Sequence, residues 1–238
     1  MVQMNILELR NISKSWGGNK ALRDVSMEME SGIVGIVGPN GAGKTTLVNI
    51  IAGQNQASSG KVFYKGTDIT SLPSYRRARM GIVKTFQVVR PFRSLTVREN
   101  VELFSKVRSQ SNSEDILKIT GMENFQDRFP VELPFGLLKK LEIAKALSAN
   151  PDLLLLDEPF GGLGKDDIEK LSKFILDIKE IGKHMVIVEH KISALLPLVD
   201  KIVLLDRGET KFDGSVSEFK ANEKIGELYF GGIINAGN

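Results

Sequence analysis

Eight consecutive residues, Gly38-Pro39-Asn40-Gly41-Ala42-Gly43-Lys44-Thr45, fit the spacing G-x-x-x-x-G-K-[ST]. A loop of that pattern turns backbone N–H groups inward around a phosphate, because glycine accepts dihedrals that other residues resist. Lys44 is expected to reach the β- and γ-phosphates of a nucleotide, and the Thr45 hydroxyl to meet Mg²⁺. Thr46 opens a helix whose positive N-terminal end points at the same anion.

A second chemical element lies further on. Leu153-Leu154-Leu155-Leu156 is followed at once by Asp157 and Glu158. Neighbouring residues of a strand face opposite sides, so the two carboxylates can take different tasks. Asp157 suits Mg²⁺, as a strand-end aspartate does in phosphate-loop NTPases. Glu158 suits the general base that takes a proton from water attacking a γ-phosphate. Pro159 stops the strand where a phosphate site in an open α/β sheet would lie. Gln87 and His190 also end apolar runs, though each alone is an ordinary strand-end residue.

Those side chains need a scaffold. Ile33 to Val37 reads as a buried strand and Thr46 to Ile51 as a helix, the strand–loop–helix setting that the phosphate motif requires. Ile82 to Phe86, Leu153 to Leu156, Met185 to Val188 and Ile202 to Leu205 read as parallel strands, since near-continuous apolar runs suit a sheet covered on both faces. Asp166 to Ile181 carries Ile168, Leu171, Phe174, Ile175 and Ile178 as one helical stripe. The first thirty residues alternate instead, which predicts antiparallel strands joined by a hairpin at Gly17-Gly18-Asn19. Lys61 to Tyr64 reads as a further strand with a turn at Lys65 to Asp68. From about Pro91 to Leu147 the chain reads as mainly helical, with Thr96 as an N-cap and a break at Asn112-Ser113. Ile233 to Asn238 reads as a frayed tail.

Composition narrows the field. The 238 residues include 42% apolar side chains, no cysteine, and a formal net charge of only +3. Disulfides, thiol chemistry and Cys-based zinc sites are excluded. Lys and Arg are scattered, so no nucleic-acid partner is expected. The first ten residues lack a secretory pattern, and no apolar run approaches the roughly 20 residues of a membrane span. A role at a membrane would therefore depend on another chain.

Together these motifs resemble the nucleotide-binding subunit of an ABC transporter, over almost the whole chain from about Leu7 to Gly231. The phosphate loop, Thr85-Phe86-Gln87, Leu133-Pro134-Phe135-Gly136, Asp157-Glu158 and His190 follow the family's order and separations. Thr85-Phe86-Gln87, the run Pro91 to Asn100, and Leu141 to Leu147 are most similar to the ATPase subunits of branched-chain amino acid importers.

The resemblance implies an α/β fold: a phosphate-loop NTPase core with a mostly parallel sheet, an antiparallel N-terminal β-subdomain, and a helical insertion at about 88–150. All of it would form one domain, 1–238. Residues Gly38, Pro39, Asn40, Gly41, Ala42, Gly43, Lys44, Thr45 and Thr46 would bind ATP. Trp16 would stack on adenine. Thr45, Gln87 and Asp157 would hold Mg²⁺, with Glu158, His190 and Gln87 catalytic. Gly136, from the segment usually written Leu-Ser-Gly-Gly-Gln, would cover the nucleotide of a second copy, with a helix starting directly after it. The partners implied are membrane-spanning subunits and an identical or related ATPase chain, at the cytoplasmic face of the membrane.

The chain departs from the pattern at Pro134, Phe135 and Leu137, and again at Gly164, where the family usually has Asp. These departures support a rival reading as a nucleotide switch with little turnover, which the retained Glu158 and His190 oppose. A non-transport ATPase acting on ribosomes or DNA is opposed by the lack of a second such domain or a long coiled-coil insertion.

Overall fold

The computed structural model describes residues 5–105, 107, 113–223, 225 and 226. Asn112, the tail from Ile233, and Gly231 at the limit of the resemblance lie outside the described residues.

Two sheets enclose the helix that follows the phosphate loop. The first is antiparallel, in the order β2-β1-β4-β5, from β1 (Leu7–Trp16), β2 (Asn19–Met29), β4 (Ser59–Tyr64) and β5 (Thr67–Asp68). The second has the order β10-β9-β3-β8-β7-β6. Its parallel strands are β3 (Ile33–Val37), β6 (Ile82–Lys84), β7 (Leu153–Asp157), β8 (His184–Val188) and β9 (Lys201–Asp206). The edge strand β10 (Glu209–Ser215) runs antiparallel to β9.

The fold expectation therefore holds, antiparallel sheet and hairpin included: Trp16 pairs with Asn19 across the Gly17–Gly18 turn. The alternation in β1 slips where Asn11 takes φ 51° and the register shifts between Leu9 and Ile12. Such a bulge restores the inward face after an extra residue.

Alternate residues of the parallel strands face two separate cores. Val34, Ile36, Leu153, Leu155, Val186 and Val188 pack with α1 (Lys44–Ile51) and the antiparallel sheet. Ile33, Val37, Leu154, Leu156 and Ile187 pack with the helices of the opposite face. Those helices include α3 (Val97–Ser105), α4 (Ser113–Ile119), α5 (Phe135–Ser148) and α6 (Lys165–Glu180). Leu171, Phe174, Ile175 and Ile178 form the buried stripe of α6, with Ile168 only partly buried. Thr96 caps α3: its hydroxyl accepts from the Glu99 N–H (3.3 Å), and Glu99 accepts from the Thr96 N–H (2.7 Å). That reciprocal pair satisfies two helix-end donors.

Two expectations need adjustment. The strand expected at Ile82 to Phe86 ends at Lys84; the Thr85 N–H (2.9 Å) and hydroxyl (3.4 Å) still reach the neighbouring strand, at Leu155 O. The helix α5 begins at Phe135, so Gly136 lies inside its first turn rather than before it. Pro134 precedes it in an extended conformation with φ −61°, a value proline brings ready-made. The sequence reading also missed α2 (Ser74–Met80). This helix presents Arg77, buried to 1% exposure, to the C-terminal end of α1. Its guanidinium donates to the Ile50 and Ile51 carbonyls (2.7 and 2.9 Å) and to those of Thr70 and Leu72. Burial pushes its pKa down to about 10. These bonds close the carbonyl end of α1, while its other end stays free for an anion.

Candidate nucleotide site

Two glycines of the phosphate loop are forced by space. A Cβ at Gly38 would lie 2.0 Å from the Leu205 carbonyl oxygen, and one at Gly43 2.7 Å from the Ala21 oxygen. Both have positive φ, at 145° and 102°. The loop is thus wedged between β9 and β2, with its first-turn N–H groups free of any side-chain cap at Gly43. The β9–β10 turn completes the wall: Gly208 N–H donates to Ala42 O (3.1 Å), and Gly208 O accepts from Arg23 N–H (2.7 Å).

A cavity of about 470 Å³ opens above this loop. Asn40 to Thr46 form its floor, and Glu158 stands on its wall together with Lys20, Arg23 and Arg207. Lys44 is buried, and its ammonium donates to the Gly38 and Pro39 carbonyls (2.7 and 2.9 Å). Burial lowers its pKa, while Glu158, Asp157 and Glu189 act on it in the opposite sense.

The two carboxylates part company at the end of β7. Asp157 continues the phase of Leu153 and Leu155, toward α1. Its Oδ2 lies 3.0 Å from the Lys84 ammonium. Its Oδ1 is buried without a hydrogen-bond partner. An unsatisfied buried carboxylate oxygen suits a hard divalent cation, which prefers oxygen ligands. Among the described residues no group of three His, Cys, Asp or Glu could hold a metal. Mg²⁺ needs no such cage, since one carboxylate, a hydroxyl and substrate phosphates suffice.

Glu158 has φ 50°, in the left-handed region. For a residue with a Cβ this conformation costs on the order of 1–2 kcal/mol, so its surroundings must hold it there. Its N–H donates to Val188 O (2.9 Å), and its carbonyl accepts from Gly161 N–H (3.1 Å) and from the Lys139 ammonium (3.2 Å). Its side-chain Oε2 accepts from Gln87 Nε2 at 2.8 Å. Glu189, fully buried, holds the next turn by accepting from the Phe160 N–H (2.8 Å) and from its own neighbour, the His190 N–H (3.0 Å).

The structure thus gathers the phosphate loop, Glu158, Asp157 and Gln87 at one place and leaves Trp16 and His190 outside it, while Gly136, expected to meet the nucleotide of a second copy, lies elsewhere on the chain. Trp16 is 52% exposed at the hairpin tip, with the Lys14 ammonium 4.2 Å from its ring centroid; Asn19, its cross-strand partner, lines the cavity instead. The His190 side chain is exposed and does not line the cavity. Gly136 lines a different cavity with Pro134, Leu137, Lys140, Asp167 and Lys170. Its α-carbon lies against Asp167, where a Cβ would come within 3.0 Å of the carboxylate. Gly164 precedes α6 with no side-chain cap, and Asp166 and Asp167 supply the negative charge its first turn favours.

Sequence reasoning missed Lys84, Lys139 and Glu189. The second had a signal: Lys139, Glu142 and Lys145 recur every third residue of a largely apolar helix, and all three are buried.

Fold and site together define a phosphate-loop nucleotide-binding protein. The ABC transporter family profile matches residues 22–161. A probable branched-chain amino acid transport ATP-binding protein LivG of Archaeoglobus fulgidus is 33% identical, covering 96% of both chains. The lipopolysaccharide export system ATP-binding protein LptB of Haemophilus influenzae is 31% identical over 96% of this chain and 98% of its own. Among solved structures, a nucleotide-free ATP-binding cassette from an ABC transporter matches with TM-score 0.85 and 28% identity, covering 99% of this chain and all of the other. A dimeric post-hydrolysis cassette bound to ADP and Pi matches with TM-score 0.76 and 27% identity, over 88% of this chain and 98% of the other. The chain belongs to the ABC transporter family, as an ATP-binding subunit of the ATPase class.

Proposed function

We propose that this subunit hydrolyses Mg-ATP between two copies packed head to tail, and so drives transport through separate membrane-spanning subunits. The observation that carries this reading is Glu158, fixed by Gln87 on the wall of the cavity whose floor is the phosphate loop.

Lys44 would leave the Gly38 and Pro39 carbonyls for the β- and γ-phosphates, exchanging two neutral acceptors for charged ones. Thr45 and Asp157, with Gln87, would hold Mg²⁺, whose contribution is to neutralise phosphate charge. Glu158 would accept the proton of the attacking water as the bond from the γ-phosphorus to its bridging oxygen breaks. Gln87 would keep the Glu158 carboxylate facing that water, and His190 would join from its exposed position. The free N–H groups of the first turn of α5, Gly136 among them, would cover the γ-phosphate bound to the other copy, even without the usual serine. The dimeric ADP-bound relative supports this arrangement.

Transmission to the membrane would run through the helical insertion, within one domain spanning the chain. Beside Gln87, an apolar cavity lined by Tyr75, Val83, Phe86 and Phe104 offers a seat for a membrane subunit. No helix among the described residues is long and apolar enough to cross a membrane itself, which agrees with peripheral attachment at the cytoplasmic face. The substrate we favour is a branched-chain or other amino acid, on the motif similarity and the Archaeoglobus relative. The export relative, matched over a similar length, makes extrusion the competing direction.

Size-exclusion chromatography of Glu158→Gln with Mg-ATP tests the assembly. A shift to twice the monomer mass is expected, and a strict monomer at saturating nucleotide contradicts the sandwich. A second reading, a switch with little turnover, draws on Pro134, Phe135 and Gly164. It predicts tight ATP binding without phosphate release.

A further inference from the structure

Three buried charges on one face of α5 grip the segment that follows Gln87 by its backbone. The Lys139 ammonium donates to Gln87 O (3.1 Å). Glu142 Oε1 accepts from the Arg90 N–H (2.7 Å), and the Lys145 ammonium donates to Arg90 O (3.0 Å) and to Glu142 (2.8 Å). Residues 87 to 90 are therefore fastened to α5 at both ends and must travel with it. Lys139 makes one further bond, across to the parallel-sheet core, at Glu158 O (3.2 Å).

That last bond falls on a residue in a costly backbone conformation, Glu158 with φ 50°. Lys139 is 6% exposed. Placing an ammonium there costs hydration, which hydrogen bonds and nearby carboxylates offset only in part. Burial lowers its pKa, and Glu189, Glu158, Glu142 and Asp157 act against that shift. An apolar residue would pack there more cheaply but would take the ammonium from the Gln87 carbonyl and leave the Glu158 carbonyl with the Gly161 N–H alone.

We propose that Lys139 is a positioning residue for hydrolysis, whose ammonium ties the Glu158 backbone to the Gln87 backbone so that carboxylate and amide stay in register. This rests on the reading of Glu158 as the base. One consequence is that turnover depends on the seat of α5. If the helical insertion moves away from the core, the bond to Gln87 moves with it, and the bond to Glu158 is the one that breaks.

The test is steady-state ATP hydrolysis and equilibrium ATP binding by the full chain carrying Lys139→Met, Lys139→Arg, Lys139→Gln, Glu158→Gln, or Lys139→Met with Glu158→Gln. Lys139→Met is expected to lower kcat about 10- to 100-fold, the scale of a misplaced reacting group, while ATP affinity holds. Lys139→Arg, which keeps charge and donors, should restore most of the rate. The double variant should be no slower than Glu158→Gln alone, because Lys139 acts through Glu158. A folded Lys139→Met or Lys139→Gln protein with wild-type kcat overturns the proposal, as does a double variant in which the two losses multiply. Should Lys139→Met not fold, Lys139→Gln, which keeps one neutral donor, must fall between wild type and Glu158→Gln. Wild-type turnover by Glu158→Gln would show instead that the base itself is misassigned.

Discussion

Gln87 Nε2 donates to Glu158 Oε2 at 2.8 Å, joining two residues 71 positions apart in the chain. The amide pins one carboxylate oxygen and leaves the other for water. Gln87→Leu should therefore lower kcat at least about tenfold, because the placement of the base is lost. Phosphate release at saturating ATP measures it, and an unchanged kcat removes Gln87 from the account.

Glu158 is held in a conformation that glycine adopts without cost. Glu158→Gly should raise unfolding stability by roughly 0.5–1 kcal/mol, the left-handed penalty less the chain entropy of glycine, while hydrolysis collapses. Urea unfolding of the nucleotide-free protein gives the number. A less stable variant would mean that the Glu158 side chain contributes more to the fold than its backbone costs.

Lys44 makes the same trade. Its folded pKa is lowered by burial, so the folded state holds this proton less tightly than the unfolded chain does. Stability then rises with pH between the folded value and the ordinary 10.5, and at neutral pH the ammonium opposes folding. Lys44→Met should melt no lower than wild type without nucleotide. At 100-fold excess over Kd, Mg-ATP should stabilise wild type by about 2.7 kcal/mol and leave Lys44→Met unmoved. Thermal melts with and without Mg-ATP decide it; a nucleotide-induced shift in the variant would contradict the role given to Lys44.

Asp68 sets an acid limit. Hydrogen bonds from the Thr70 hydroxyl and N–H, then the Lys61 ammonium, hold its pKa at about 2, below the ordinary 3.8. A depressed carboxylate contributes stability that is fully present above its unfolded value and lost as pH falls through the folded one. Asp68→Asn should therefore flatten the stability profile between about pH 4 and pH 2, lowering its neutral part and leaving its acid end close to wild type. The side chain is exposed, so the effect should be small. An identical acid limb in wild type and variant would refute it.

The sequence exposed most of the scaffold because both periodicities were clean. Leu153 to Leu156 and Met185 to Val188 read as covered strands, and Leu171 to Ile178 as a helix stripe. The phosphate loop was legible for a stronger reason: Gly38 and Gly43 sit where no Cβ fits, so the motif is dictated by space. Illegible were the contacts between separate elements. Nothing in the residue types says that Lys139 reaches two carbonyls, that Arg77 closes the end of α1, or that Lys84 meets Asp157, because each joins elements distant in the chain. Gly136 is a different case. Its expected role involves a second copy, and one chain places it in a cavity of its own.

The central claim is that the cavity at Lys44 and Glu158 breaks the γ-phosphate bond of ATP. Phosphate release from Mg-ATP by the isolated chain, beside Glu158→Gln, tests it most directly. The account predicts measurable turnover that the substitution lowers by about 10²–10⁴-fold, the scale of a positioned base, with ATP still bound. Equal rates for the two proteins would contradict it.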